Sequence, residues 1–568
     1  MSFLDELISS YFTYALAVVA VLHVALTLGP IAKRRRNKNI EELTAINELP
    51  NLGKPRLSGK RIDGTVVVAG GSIAGLLTAR ICSTHFSRVI VVEPEAWLST
   101  KAGVSHELTG GKGENGKKPN PRARVMQYNA IHNYHVYTLY ALRELFPNFD
   151  AEARKIDPDA IASSDIKLHV GGRHLKAPHG FYKGDFPMHF SVNRHTYETL
   201  LRKLVKRDCD NIEYVTGTVV GINTITNSTR DRVESAIIRS KDGVETTEPT
   251  LLVVDCTGPA SAALKWVSTP AKPLKVPRDI YDPKMFYTTC EFEVNPAAME
   301  KVPIPGGYAN SRVILVYTPD PRIARNTVYI FRREHNTVQI ACGGWDMHER
   351  PRSIDDIRTF ISQIKGTEPF PSFVSQLLDA LEDNNCGASA TYTDTRCPPC
   401  HSIKYHAVAD KLPSNLIALG DSVMRVNPVR GQGCTKAMIG AATLSGILQR
   451  CEPIFDQSSG RDILPHNFGK TFWEKHNRRI ASLWVQTKAD DYNWATTVPV
   501  EGETLKKGAF LRWYGRNFLN VAYHNERIAA VLHNSSMFIA PGTDAISPDI
   551  AIRVVWAGFK EFLGITRS

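Results

Sequence analysis

Thr65-Val66-Val67-Val68-Ala69-Gly70-Gly71-Ser72-Ile73-Ala74-Gly75-Leu76 is the stretch whose reading decides the fold. Its first five residues form a β-branched run, which predicts a short buried strand. The glycine-rich turn comes next, and Leu76-Leu77-Thr78-Ala79-Arg80-Ile81-Cys82 continues with helical spacing. A second strand, Val89-Ile90-Val91-Val92, ends at Glu93. Strand, glycine turn, helix, strand and acid, in that order, describe a dinucleotide-binding βαβ unit. Gly70 permits the tight turn and Gly75 lets the helix approach the strand. Gly71, Ser72 and Ala74 keep the turn small, although Ser72 stands where the usual pattern has its middle glycine. The helix N-terminus offers free N–H groups to a pyrophosphate, and Glu93 can accept hydrogen bonds from a ribose diol. A glycine turn alone describes any βα loop. The register of strand, helix and acid is what favours nucleotide binding.

On the N-terminal side, residues 11–32 carry no Asp, Glu, Lys or Arg. About 20 apolar residues cross a hydrocarbon core as a helix, so the segment is expected to be a transmembrane anchor. Asp5 and Glu6 precede it, and Lys33, Arg34, Arg35, Arg36 and Lys38 follow. That asymmetry leaves the body of the chain cytosolic and argues against a cleaved signal peptide, which needs a basic start. The expectation is a single-pass membrane protein of the endoplasmic reticulum. Residues 33–63 read as a basic juxtamembrane linker.

The 568 residues are 43% hydrophobic and 22% charged. This excludes a disordered, collagen-like or coiled-coil chain and suggests about three or four units at roughly 150 residues each. The net charge is +12, much of it in the run at 33–38, and no nucleic-acid motif appears. Ten cysteines in so long a chain make no disulfide framework and suit a reducing compartment. Cys397-Pro-Pro-Cys400 is a single C-x-x-C. With His401 and His406 it lacks the paired ligand pattern of a zinc site and reads as a structural turn. No metal is expected.

A second motif lies at 416–440, LIALGDSVMRVNPVRGQGCTKAMIG. Gly420-Asp421, six residues, Pro428, and then Val429-Arg-Gly431-Gln-Gly433 resemble the second FAD motif of flavoprotein monooxygenases of the para-hydroxybenzoate hydroxylase fold. The resemblance implies that Asp421 bonds the ribityl or pyrophosphate-ribose region. It also implies that the turn of Pro428, Gly431 and Gly433 presents N–H groups to the flavin. Further stretches agree. The run from Pro121 to Pro147 is similar to a segment of the polyketide and squalene-type epoxidases, where Arg124 and Gln127 fall on flavin-contacting positions. Met126 departs from that pattern, and His132 and His135 do not transfer. SVNRHTYETLLRKL resembles the segment whose arginine contacts FAD, here Arg194. LLVVDCTGPAS resembles the strand and turn by the adenine half, which brings in Asp255. The resemblance runs from about 64 to 450 and fades by about 550. The W-x-W-x-I-P motif of halogenases of this fold is absent from the sequence.

The resemblance implies an α/β fold, α+β overall. A Rossmann-like FAD-binding domain (64–264 and 405–450) would carry an inserted sheet-rich substrate domain (265–404) and a helical C-terminal region (451–568). It implies an FAD-dependent monooxygenase in which NAD(P)H is a transient co-substrate. With O2, it would epoxidise or hydroxylate a lipophilic terpenoid, polyketide or polyene. No side chain is assigned as catalytic, and Arg425 is a candidate to face substrate or NADPH. A flavin-dependent reductase or oxidase of a prenyl substrate, and a non-enzymatic flavoprotein, remain alternatives. Residues 550–564, IAIRVVWAGFKEFLG, read as a core helix, with a second membrane contact as the other reading.

Overall fold

The computed structural model describes residues 30–105, 120–122, 124–125, 127–226, 230–270, 272–457 and 460–565. Its first sheet is built from β1 (Ile62–Ala69), β2 (Phe86–Glu93), β3 (Ile212–Thr216), β4 (Leu252–Asp255) and β5 (Leu416–Ala418), in the spatial order β5-β4-β1-β2-β3. Every pairing is parallel. Val66, Val67, Val68 and Ala69 are buried without alternation. That is the pattern of a parallel strand covered on both faces. Each fully buried valine contributes roughly 1.5–3 kcal/mol.

Helices α1 (Pro30–Leu43), α2 (Ile73–His85), α3 (Arg194–Asp208), α4 (Gly433–Leu448) and α5 (Phe468–Asp491) follow in chain order, then α6 (Ala509–Ala522), α7 (Glu526–Ser536) and α8 (Pro548–Phe562). α2 packs against α3, α4 and β2. An antiparallel meander of Thr218–Thr226, Asp231–Arg239 and Glu245–Pro249 packs against β2 and β4. This is the expected Rossmann-like unit.

A seven-stranded sheet forms the second body. Its order is Thr391–Arg396, Met285–Glu293, Thr337–Trp345, Asn326–Arg333, Val313–Tyr317, Leu168–Val170 and Arg173–Leu175. Five of its strands come from residues 285–396. The last two strands come from far earlier in the chain and join through the parallel pairing of Val316 with Leu168. Local periodicity carries no information about such a pairing.

Two expectations concern the N-terminus. Residues 1–29, most of the anchor expected at 11–32, lie outside the described residues, and no described helix is long and apolar enough to cross a membrane. The stretch read as a linker at 33–63 begins as α1, continues as a short 3-10 helix at Ile46–Asn51, and ends as the first residues of β1. Ala45 and Leu52 are buried in the main core. Glu48, also buried, accepts from Lys475 at 2.8 Å and Arg479 at 2.7 Å. Burial alone would raise its carboxyl, but the two cations hold it below the usual range. The polar composition that suggested a linker is used instead to dock this segment onto α5.

Candidate functional site

β1 ends at Ala69, and Gly70 donates its N–H to Val92 O at 2.8 Å, which closes the turn onto β2. A methyl on Gly75 would lie 1.7 Å from Gly70 O. No rotamer relieves a backbone clash, so only glycine lets α2 start this close to β1. No side chain caps the first turn of α2. The Ser72 hydroxyl donates instead to Glu198 Oε2 at 2.9 Å, leaving the N–H groups and the positive dipole end for an anion. Gly71 N–H donates to Glu93 Oε2 at 2.8 Å, so the acid ending β2 reaches the glycine turn.

The second motif arrives beside the first. Gly420 sits at φ +64°, and a methyl on it would be 3.1 Å from the Ala74 methyl. The two turns, 346 residues apart in sequence, are therefore in contact. Lys436, on α4 and buried, donates to Asp421 Oδ1 at 2.7 Å. Burial would raise the Asp421 carboxyl, but Lys436 outweighs it and holds it low. His401 Nε2 lies 2.9 Å from Asp421 O. Pro428, Gly431 and Gly433 form the turn into α4, where again no side chain caps the helix.

The remaining expected residues divide. Arg194 is half-buried, with Nη2 3.4 Å from the Ser72 hydroxyl. Its Nε is buried with no hydrogen-bond partner among the described residues. Such an orphaned donor beside the glycine turn fits a bound phosphate or ribose oxygen. Gln127 is half-buried and Arg124 is exposed. The neighbour Arg122 is the buried one. It pairs with Glu95 at 2.5 Å, with Glu93 at 3.4 Å, and with Glu198. Asp255 is buried, and its oxygens accept from Thr257 N–H and hydroxyl, Ala263 N–H and Ser422 hydroxyl, at 2.6 to 3.0 Å. Burial raises its carboxyl despite these bonds. In this structure it closes the turn after β4 and tethers the segment after Gly420. Arg425 donates to Pro399 O at 2.5 Å and so fastens the Cys397–Cys400 turn. Both of those thiols are free and buried.

Sequence reasoning missed three groups. Glu198 is buried among Arg122, Arg194 and Arg202. Burial would raise its carboxyl, but the three guanidinium groups bring it down to about 2. Lys436 gave no signal because a lysine in an apolar helix reads as incidental. Asp491, at the end of α5, is buried and accepts from Tyr281 Oη, Trp345 Nε1 and Asn427 Nδ2, each at 2.7 Å. Burial raises its carboxyl to about 7.

A cavity of about 960 Å³ reaches from the Pro428–Gln432 turn, across Tyr287, Tyr329 and Trp345 of the second sheet, to α6, α7 and α8. His132 and His135 also line it. Burial lowers them to about 3 and about 4, so both imidazoles are neutral at pH 7. His135 Nδ1 lies 2.8 Å from the Thr435 hydroxyl of α4, and His132 Nδ1 lies 2.8 Å from Ala130 O.

No protein-family model matches the chain, and no curated protein matches it in sequence. Among solved structures, the flavin-dependent brominase Bmp2 superposes with a TM-score of 0.51 at 11% identity, covering 88% of this chain and 100% of that one. The chain shares the fold of that flavoprotein. A flavoprotein/dehydrogenase from Cytophaga hutchinsonii gives a TM-score of 0.49 at 12% identity, over 88% of this chain and 99% of its own. A probable FAD-dependent monooxygenase from Pseudomonas aeruginosa, pqsL, gives 0.43 at 14% identity, over 68% and 86%. At 11% identity the likeness to the brominase speaks for the fold alone.

Proposed function

We propose that the protein is an FAD-dependent monooxygenase that uses NAD(P)H and O2 on a lipophilic small molecule. One observation carries the reading. The Gly70–Gly75 turn and the Gly420–Gly433 turn meet at the C-terminal edge of one parallel sheet, and an apolar cavity opens directly onto the second turn. Ligands of open α/β sheets bind at that edge.

FAD would supply the redox chemistry with oxygen that no side chain here can perform. The chain's own residues supply the rest. The uncapped start of α2 and the orphaned Arg194 Nε suit the pyrophosphate. Glu93 suits the ribose diol of the adenosine half. Asp421, held ionised by Lys436, suits the hydroxyls on the opposite side of the pyrophosphate. The start of α4 directs N–H groups and a positive dipole end at whatever lies above Gly433, which stabilises negative charge there. His132 and His135, both neutral, add no charge to the cavity wall, and the aromatic rings of Tyr287, Tyr329 and Trp345 suit a lipophilic substrate. α6, α7 and α8 supply much of the remaining cavity wall.

The apolar segment at 11–32 and its basic flank support attachment to the endoplasmic reticulum membrane with the site in the cytosol. The test is purification of the full chain and chromatography of the pigment released on denaturation. It should be FAD, and NAD(P)H consumption should rise when lipophilic alkenes are supplied. A colourless protein that takes up no added FAD would overturn the reading. Retention of FAD without substrate-stimulated consumption would favour the reductase or non-enzymatic alternatives.

A further inference from the structure

α8 is apolar on two faces, and only one of them is buried. Ile550, Val554 and Gly558 face the interior. Gly558 lies so close to Trp513 of α6 that a methyl there would meet the indole at 2.3 Å. The other face carries Ile552, Val555, Trp556 and Phe562, and the first three have the i, i+3, i+4 spacing of a second apolar stripe. Phe562 is 85% exposed, and Leu563 and Ile565 extend the surface beyond the helix. Phe510, 72% exposed, adds to it one turn before Trp513 on α6. Contiguous apolar surface of this kind marks an interaction site.

Three observations name its occupant. First, the elements at the patch carry cations: Arg553 and Lys560 on α8, with Lys560 Nζ 5.6 Å from the centre of the Trp556 ring, and the exposed Lys33, Arg34 and Arg35 on α1. Second, α1 is tied to the segment preceding α8, through Arg36 to Asp544 at 2.9 Å and Asn39 to Thr543 at 3.0 Å. The basic start of α1 is therefore held against the segment that leads into α8. Third, Ile546 and Trp556 belong both to the patch and to the lining of the cavity.

We propose that the exposed face of α8, with Phe510 and the C-terminal Leu563 and Ile565, docks on an anionic lipid bilayer and feeds the cavity from it. Aromatic and aliphatic side chains enter the headgroup boundary while lysine and arginine meet the lipid charge. A second copy of this chain is a poorer occupant, because it would bring the same cations against one another. The proposal goes beyond the flavin reading and rests on it only for what enters the cavity.

The test uses the full chain. Its ten cysteines are all buried, so Phe562→Cys supplies the one accessible thiol for an environment-sensitive fluorophore. Val244→Cys, on an exposed hairpin of the antiparallel meander, supplies the control. Vesicles of phosphatidylcholine and phosphatidylserine in equal parts should shift the label at 562 to the blue, and acyl-chain nitroxide lipids should quench it. The label at 244 should not respond, and vesicles of phosphatidylcholine alone should act less. No change at 562 in vesicle-bound protein overturns the proposal. So does a blue-shifted label without vesicles: independent of protein concentration it shows residues 1–29 on the face, and rising with concentration it shows a second copy. Flavin content is measured on the same samples, so loss of the flavin reading would be seen separately.

Discussion

Asn427 donates its side-chain N–H to Asp491 Oδ1 at 2.7 Å, which ties the residue before the Pro428 turn to the last residue of α5. Trp345 Nε1 donates to the same oxygen, and its ring stacks on Trp494 at 3.5 Å between centroids. One buried carboxylate thus joins the turn of the second motif, the end of a strand of the second sheet and the C-terminal helices. Its raised value, about 7, reflects burial, which outweighs the three hydrogen bonds it accepts.

Asp491→Asn should change the pH dependence of stability. Between the ordinary carboxylate range and about 7, the folded state holds a proton that the unfolded state has released. Stability of the native protein therefore falls as pH rises through that window. The amide removes this slope. Thermal unfolding of the variant should match the native protein near pH 4 and gain relative to it by pH 8, by on the order of 2–4 kcal/mol. A constant difference across pH would show that Asp491 does not titrate there.

Glu198→Gln should be strongly destabilising. It leaves Arg122 and Arg202, both buried, short of a countercharge, which costs about 3–5 kcal/mol. The native carboxylate, lowered to about 2, contributes stability that is present above its ordinary range and lost as pH falls through it towards 2. Denaturant midpoints at pH 7 and pH 3 measure both effects, and the gap between variant and native protein should narrow at the lower pH.

Gly75→Ala should abolish the cradle. The added methyl meets Gly70 O at 1.7 Å, and α2 must move away from β1 at a cost of about 3 kcal/mol or more. Soluble protein, where obtained, should carry no flavin in its absorption spectrum.

Gly433→Ala should do the reverse to the empty fold. A methyl there meets nothing within 4 Å, and alanine favours the first turn of α4 by up to about 1 kcal/mol. Flavin-free protein should unfold slightly later, while flavin affinity should drop, because the open space above Gly433 is where the ring is proposed to sit. Titration of flavin-stripped protein with FAD measures this. Unchanged affinity would place the ring elsewhere.

Both glycine motifs were legible in the chain, because each is a short local pattern whose backbone geometry demands small residues. The strands beside them were legible as well, since a fully buried parallel strand must be a continuous apolar run. Asp255 shows where such reading stops. The motif places an acid at the end of β4, but only the packed turn shows its oxygens taken by Thr257, Ala263 and Ser422. Arg122 and Arg124 make the same point, because two arginines in one polar segment cannot be told apart until a fold buries one of them.

The sequence by itself determined the two turns, their order and the apolar strands, since these depend on interactions within a few residues of each other. Tertiary structure alone decided that Leu168–Val170 completes the second sheet, that Glu198, Lys436 and Asp491 become buried charges, and that one apolar face of α8 is left exposed. Each of those depends on what lies across a gap of tens or hundreds of residues. Burial and charge pairing are properties of that gap, not of the residues that happen to face it.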